Sequence, residues 1–248
     1  MITSAGDMGT LEPMRRLGVH MYVYRDEEQW AWAIAVSIAA VLRRELEQHD
    51  RARLLVSGGS SPAPVYQALS KAPLDWSRID VALIDERWLQ PDDPDSNAHL
   101  VRTTLAQNGA AAARYETLTR AGRGIDEAVK AANMHAKQMT TLALLGMGED
   151  GHTASLFPRM RGLSDALESP SHYVAVDASG CAGAGRWLRR ISLTPAGLAA
   201  TQTRMLLIRG ERKREVFERA LDGNDACELP VRIAFTTPGA SLDVHWCP

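Results

Sequence analysis

The sequence has few cysteines, no long apolar run and almost no net charge, and each absence excludes a class of protein. Its three cysteines, Cys181, Cys227 and Cys247, are odd in number and form no Cys-x-x-Cys pair, which argues against a disulfide framework or a zinc knuckle. No apolar stretch reaches the length that a membrane-spanning helix needs. The formal net charge of -2 gives no overall attraction to nucleic acid or anionic membranes. Any anion-binding site must therefore be local.

Length and the N-terminal segment bear on domain number and location. A chain of 248 residues, 45% of them hydrophobic, can bury the core of one large α/β domain. Residues 1–18 mix charged side chains such as Asp7 and Arg15 with apolar ones, which is unlike a signal peptide. We expect a loose N-terminal tail over residues 1–18, a single α/β domain over residues 19–248, and a cytoplasmic protein with reduced thiols.

Apolar runs of strand length alternate with segments of helical periodicity. Strands are predicted over residues 19–24, 53–56, 79–84, 142–145, 173–176, 189–193 and 205–208, with a further edge strand from 231–235 and 242–246. Helices are predicted over residues 30–46, 98–106 and 125–139, after the loop ending at Pro62, and around Phe217. This alternation predicts βαβ units and a mainly parallel sheet with right-handed crossovers. The Gly-Ala-rich segment 177–185 is expected to be loose.

The loop Gly58-Gly59-Ser60-Ser61-Pro62 follows the second predicted strand and precedes a helix. Its free amides, the helix dipole and the hydroxyls of Ser60 and Ser61 would make an anion site of phosphate size. An ordinary Gly-Ser turn explains the same residues equally well. The loop lacks both the lysine of a Walker sequence and the Gly-x-Gly-x-x-Gly spacing of a dinucleotide fold, so nucleotide binding is disfavoured.

Asp85-Glu86-Arg87 follows the third predicted strand directly, where a buried strand reaches the surface. Open α/β sheets bind ligands at such carboxyl ends. Ser96 or Asn97 is predicted to cap the next helix. The acidic residues between them, at positions 92, 93 and 95, lack the glycine and distal glutamate of an EF-hand. We interpret that loop as solvated.

The apolar run that ends at Leu145 is followed by a loop with glycines at 146, 148 and 151. Asp150 and His152 stand on either side of the last of these glycines. The glycines allow positive φ values and close approach to a ligand, although a lone Gly-x-Gly is most often a simple turn. Two later strands also carry basic residues: Arg190 lies at the start of one, and Lys213 follows the other. Together, the polar residues near these strand ends predict a phosphate-binding site next to a group that can act as an acid or a base.

At this point the chain resembles the 6-phosphogluconolactonases, within the larger group that includes glucosamine-6-phosphate deaminases and ribose-5-phosphate isomerases. The matching blocks, in order, are Gly58-Gly59-Ser60-Ser61-Pro62, Asp85-Glu86-Arg87 with Ser96-Asn97, Gly146-x-Gly148-x-Asp150-Gly151-His152-Thr153-Ala154-Ser155-Leu156-Phe157-Pro158, Arg190-Ile191-Ser192-Leu193-Thr194, and Gly210-x-x-Lys213. The third block is highly specific, whereas the first and last are weak alone. Residues 1–18 lie outside the resemblance.

The resemblance implies a three-layer Rossmann-like α/β sandwich and hydrolysis of 6-phospho-D-glucono-1,5-lactone to 6-phospho-D-gluconate in the oxidative pentose phosphate pathway. It implies His152 as general base on water. Asp150, two residues away, is placed to orient the imidazole or to bind substrate hydroxyls, and the sequence leaves both roles open. The implied substrate- and phosphate-binding residues are Gly58, Gly59, Ser60, Ser61, Asp85, Glu86, Arg87, Asn97, Arg190 and Lys213. No metal, cofactor, nucleic acid or membrane is implied, and the protein is expected to be a monomer or homodimer. Whether Arg189 or Arg190 faces the phosphate stays open.

Three other functions fit parts of the pattern. In the amino-sugar phosphate deaminases a glutamate stands five residues after the loop histidine, and here that position is Phe157, which cannot relay a proton. A sugar-phosphate-sensing regulator would need a DNA-reading module, for which the N-terminal tail is too short. A metal hydrolase would have to use the carboxylates of Asp85, Glu86 and Asp150 with His152, but no recognised metal spacing supports it.

Overall fold

The computed structural model describes residues 14–248, with a seven-stranded sheet at the centre. Its strands, in spatial order, are β1 (Val19–Val23), β10 (Leu242–Cys247), β9 (Thr201–Arg209), β6 (Thr140–Gly146), β2 (Ala52–Val56), β3 (Ile79–Leu83) and β5 (Arg114–Glu116). Every neighbouring pair is parallel. All residues of β2 and β3 are buried, as expected for parallel strands covered on both faces. The predicted parallel α/β sheet is confirmed.

Eight α-helices lie wholly within the described part of the chain. They are α1 (Glu27–Gln48), α2 (Ala63–Leu69), α3 (Asn97–Thr104), α4 (Ile125–His135), α5 (Leu163–Glu168), α6 (Pro195–Ala199), α7 (Glu211–Asp222) and α8 (Ile233–Thr236). The longest, α1, begins where the Asp26 side chain accepts a hydrogen bond from the amide of Gln29. Its apolar face, including Trp30 and Ile34, is buried and packs against α2, β6 and β10.

A second, antiparallel sheet was not predicted. It consists of β4 (Asp85–Arg87), β8 (Arg189–Leu193) and β7 (Tyr173–Asp177), with β8 in the middle. The residues that follow β3 therefore continue as a short strand rather than ending in an open loop. The register places Arg87 directly opposite Arg190, so this small sheet brings two cations together at the carboxyl edge of the large one.

The prediction for the C-terminal segment was partly wrong. Residues 231–235 are helical, within a 3-10 turn and α8, because a short, wholly apolar run does not distinguish a buried helix from a strand. Leu242–Cys247 is a strand but lies between β1 and β9, not at an edge. The helix predicted to reach residue 139 ends at His135, and Met139 is largely exposed.

Most of the predicted N-terminal tail, residues 1–13, lies outside the described residues. The described chain begins with helical residues 14–16, and Met14 is buried in the core. Over residues 14–248, none of the helices combines the length and hydrophobicity needed to cross a bilayer.

Candidate active site

A cleft of about 210 Å³ opens at the carboxyl ends of β2, β3 and β6. Its walls are formed by Ser57, Gly58, Gly59, Ser60, Ser61, Pro62, Asp85, Arg87, Asn97, Gly146, Met147, Gly148, His152, Ala154, Arg190, Leu207 and Lys213. The predicted convergence of polar strand ends is thus observed. Of the predicted site residues, only Asp150 and Glu86 do not line the cleft.

Asp150 holds the imidazole of His152 from behind. Its Oδ1 lies 2.6 Å from Nδ1 of His152 and also accepts the backbone amide of that residue at 3.1 Å. Burial raises the pKa of Asp150, but the hydrogen bonds and charge of His152 outweigh it, so the net pKa is lowered. An ionised Asp150 fixes Nδ1 as the donor. The other ring nitrogen, Nε2, has no partner among the described residues and is left for a ligand.

Two neighbours fix the plane of the His152 ring. The ring of Phe157 lies with its centroid 4.4 Å away, tilted by 37°. On another side, a methyl group built at Gly148 would lie only 2.2 Å from Nδ1. Glycine is therefore required at position 148 by close packing, and the imidazole has little freedom to rotate.

Arg190 lines the cleft from β8, whereas Arg189 is exposed. The guanidinium of Arg190 is buried and donates to the carbonyls of Trp187 and Ala184, at 2.8 and 2.5 Å, and to the hydroxyl of Ser155 at 3.3 Å. It also lies 5.1 Å from the centroid of the Phe157 ring. Burial lowers the pKa of Arg190, against the opposing charge of nearby carboxylates.

Arg87 faces Arg190 across the β4–β8 pair. It donates from Nη1 to the carbonyl of Asp95 at 2.6 Å, while its buried Nε has no partner among the described residues. Like charges opposite one another in a sheet repel. A bound anion between them would remove that repulsion, so the pair is suited to a negatively charged ligand.

Lys213, in the first turn of α7, meets the glycine-serine loop after β2. Its Nζ lies 3.4 Å from Oγ of Ser61. Burial lowers the pKa of Lys213, and the charge of Glu149 opposes this. Gly59 has φ of +90°, a conformation that favours glycine. A lysine, two hydroxyls and a glycine turn therefore line one end of the cleft.

Three buried polar atoms in the cleft wall have no hydrogen-bond partner within residues 14–248: Oγ of Ser57, Nε of Arg87 and Oδ1 of Asn97. The Asn97 amide is oriented because its Nδ2 donates to the carbonyl of Asp85 at 2.8 Å. Buried polar groups are nearly always hydrogen-bonded, so unpaired ones facing a cleft indicate contacts completed by a ligand or water. Sequence reasoning missed Ser57, although it directly precedes the glycine loop.

Asp85 is buried at the cleft floor and is held by Ser155. Its Oδ2 accepts a hydrogen bond of 2.6 Å from the Ser155 hydroxyl, and the same hydroxyl oxygen accepts a hydrogen bond from Arg190. Ser155 thus links the acidic side chain of Asp85 to the basic side chain of Arg190. It belongs to the specific loop block, but its burial, at 0% exposure, could not be read from the sequence.

Glu86 does not line the cleft. Its fully buried carboxylate accepts three backbone amides, those of Arg87, Asn97 and Ala98, each at 2.8 Å. Two of these amides belong to the first turn of α3, so the residue predicted to bind substrate instead supports the helix that carries Asn97.

Among residues 14–248, no group of three or more His, Cys, Asp or Glu side chains is arranged to hold a metal ion.

A larger cavity, of about 330 Å³, lies elsewhere, between β5 and α4. It contains arginines but none of the predicted site residues. Arg53 is paired in a bidentate manner with Glu116, at 3.1 and 2.8 Å, and Arg114 is paired with Asp80 at 2.9 Å. Arg120 and Arg123 also line this cavity, but it contains neither His152 nor the glycine-serine loop, so we assign the chemistry to the smaller cleft.

Comparison with known proteins agrees with the geometry of the cleft. Residues 25–246 match the family described as Glucosamine-6-phosphate isomerases/6-phosphogluconolactonase. A 6-phosphogluconolactonase of Xylella fastidiosa is 48% identical over 226 residues, covering 90% of this chain and 94% of that protein. The chain therefore belongs to this family.

Solved structures of the family have the same fold. A 6-phosphogluconolactonase from Shewanella baltica superposes with a TM-score of 0.85 at 30% identity, over 93% of this chain and 98% of that one. A monomeric glucosamine-6-phosphate deaminase superposes with a TM-score of 0.74 at 17% identity, over 90% and 96%. The second likeness shows only that the fold is shared.

Proposed function

We propose that this protein hydrolyses 6-phospho-D-glucono-1,5-lactone to 6-phospho-D-gluconate, with His152 as general base on water and without a metal or organic cofactor. The observation that carries the proposal is the Asp150–His152 pair, with Nε2 left free beside a cleft lined by Arg87, Arg190 and Lys213. The curated relative at 48% identity, named for this activity, supports it. The predicted cytoplasmic location and monomeric or dimeric state stay predictions.

A lactone needs little from its catalyst because it is already an activated ester. His152 removes a proton from water as the water oxygen bonds to C1 of the lactone. When the bond between C1 and the ring oxygen breaks, the imidazolium returns that proton to the ring oxygen. Asp150 stabilises the imidazolium between the two steps. The negative charge that develops on the carbonyl oxygen meets donors already fixed in the protein, with the unpaired Nε of Arg87 a candidate.

The phosphate is bound at a distance from the reacting carbon. Lys213 and Ser61, 3.4 Å apart, form its proposed site with the amides of the glycine loop. Arg190 uses three donors on protein oxygens, so two of its five N–H groups remain for the substrate. Binding energy from the phosphate then positions the carbonyl against His152.

A comparison of two substrates tests the reaction class. In the presence of EDTA, the purified protein is expected to accelerate hydrolysis of 6-phosphogluconolactone above its spontaneous rate, and to release no ammonia from glucosamine 6-phosphate. Phe157, packed on the His152 ring, occupies the position where a deaminase needs a proton-relaying glutamate. Ammonia release would favour the deaminase, and loss of lactonase activity in EDTA would contradict the metal-free mechanism. Turnover of neither substrate would favour a non-catalytic sugar-phosphate sensor.

A further inference from the structure

The loop between β7 and β8, residues 178–188, is built against the catalytic pair. Sequence composition predicted a loose Gly-Ala segment here. Instead, the amide of Ala178 bonds to the carbonyl of Leu188 at 2.9 Å and closes the loop at its base. Two successive turns follow, through the amides of Cys181 and Ala184, each at 3.0 Å. The loop therefore has a defined backbone path.

Gly183, in the second turn, lies against the carboxylate of Asp150. A methyl group at this position would be 2.2 Å from Oδ2 and 3.0 Å from Cγ of Asp150, far inside contact distance. Gly183 does not have a positive φ, so its backbone conformation is open to any residue. Only the approach of Asp150 requires glycine here.

The Asp150 carboxylate is thereby confined on both sides. Its Oδ1 contacts Nδ1 of His152 at 2.6 Å, and its Oδ2 faces Gly183. Behind the imidazole, Gly148 and Phe157 leave little room. A displacement of the carboxylate must therefore shift or break its bond to the imidazole.

The same loop also holds the cations of the cleft. The carbonyls of Ala184 and Trp187 accept the guanidinium of Arg190. Arg186 pairs with the side chain of Asp95, and the indole of Trp187 donates to it at 3.1 Å. The carbonyl of Asp95 in turn accepts a hydrogen bond from Arg87. This loop thus contacts the residues that hold His152 and Arg87 in place, and it binds Arg190 directly.

We propose that Gly183 is a positioning residue, whose missing side chain lets the β7–β8 loop seat Asp150 so that the carboxylate orients His152. The proposal rests on the proposed function for its kinetic consequence, but its geometric consequence is independent of the substrate.

The test is the variant Gly183→Ala, alone and combined with Asp150→Ala. Alone, it is expected to lower kcat by about 10-fold to 100-fold, since small misplacements of catalytic groups have such effects. KM is expected to change less than kcat, because Lys213 and Ser61 of the proposed phosphate site lie outside this loop, although Ala184, next to the substitution, supports Arg190. When Asp150 is already alanine, the added methyl has room, and kcat is expected to change by less than about 2-fold. Gly124→Ala is the matched control, because a methyl group there has no atom of the described residues within 4 Å, its two chain neighbours aside.

Two measurements keep the proposal testable whatever the substrate. The Nδ1 proton of His152, observed by NMR, should shift or broaden in Gly183→Ala but not in Gly124→Ala. The melting temperature lost in Gly183→Ala should be regained in the double variant. The proposal would be overturned if Gly183→Ala kept the wild-type kcat. It would also be overturned if Gly183→Ala lowered kcat by the same factor in the Asp150→Ala background as in wild type. An unchanged Nδ1 signal would do the same even if the protein had no lactonase activity.

Discussion

The carboxyl group of Glu86 is fully buried behind the cleft wall, and its ionisation is set by two opposing effects. Burial raises its pKa from 4.5 to about 7, although the three backbone amides that donate to it favour the charged form. At pH values between these two, the folded protein binds more protons at this group than the unfolded chain does. Stability contributed by Glu86 is therefore present below about pH 4.5 and declines as the pH rises toward 7.

Glu86→Gln isolates this effect because the amide does not titrate. We expect the difference in unfolding free energy, wild type minus variant, to fall between pH 4.5 and pH 7, by roughly 2–3 kcal/mol at most. Urea unfolding of both proteins at the two pH values measures it. A difference that stays constant or grows with pH would mean that the amides keep Glu86 ionised throughout the range.

At the scale of secondary structure, the start of α3 links stability to the cleft. Oγ of Ser96 accepts the amide of His99 at 2.9 Å and so caps the helix. The next residue, Asn97, has its side chain in the cleft wall and against Gly58, where a methyl group would overlap it at 1.9 Å. Fraying of the first turn of α3 would therefore move a residue that faces the ligand.

Ser96→Ala is expected to lower the unfolding free energy by about 1 kcal/mol and to raise KM several-fold, because Asn97 loses its fixed position. The control is Asp26→Ala, which removes the corresponding cap of α1 outside the cleft lining. It should cost a similar amount of stability and leave KM unchanged. Thermal unfolding and steady-state kinetics of both variants decide the point, and an equal change of KM in the two would refute the link.

Sequence periodicity predicted the elements with strong patterns and failed for the short ones. The helix around Trp30 and the longer strands of the parallel sheet have patterns that can be recognised, whereas β5, with three residues, was not predicted. β4 has only three residues, too few to show a period, and its pairing with β8 is a long-range contact. The closeness of Arg87 and Arg190 follows from that register and could not be predicted without it.

At the scale of the whole molecule, one topological rule was enough to predict where most of the site residues lie. Parallel strands end at the same edge, so Gly58, Asp85 and His152 were expected to meet there, and all three line the cleft. The order of the strands did not follow from the sequence, as the interior position of β10 shows. The burial of individual side chains could not be predicted from the sequence either, which is why Glu86 was assigned to the substrate and Ser57 was overlooked.

The whole fold thus presents one imidazole, held by a carboxylate, to a cleft rich in fixed donors. Removing that imidazole should remove most of the catalysis while leaving the phosphate site intact. His135→Ala provides a control, since His135 is exposed at the end of α4.

The most direct measurement is the enzymatic rate of 6-phosphogluconolactone hydrolysis by His152→Ala, with the spontaneous rate subtracted. We expect kcat to fall by at least about 10²-fold relative to wild type, in line with the usual contribution of general base catalysis, and to be unchanged in His135→Ala. A folded His152→Ala protein that keeps more than about a tenth of the wild-type kcat would contradict the central role assigned to this histidine.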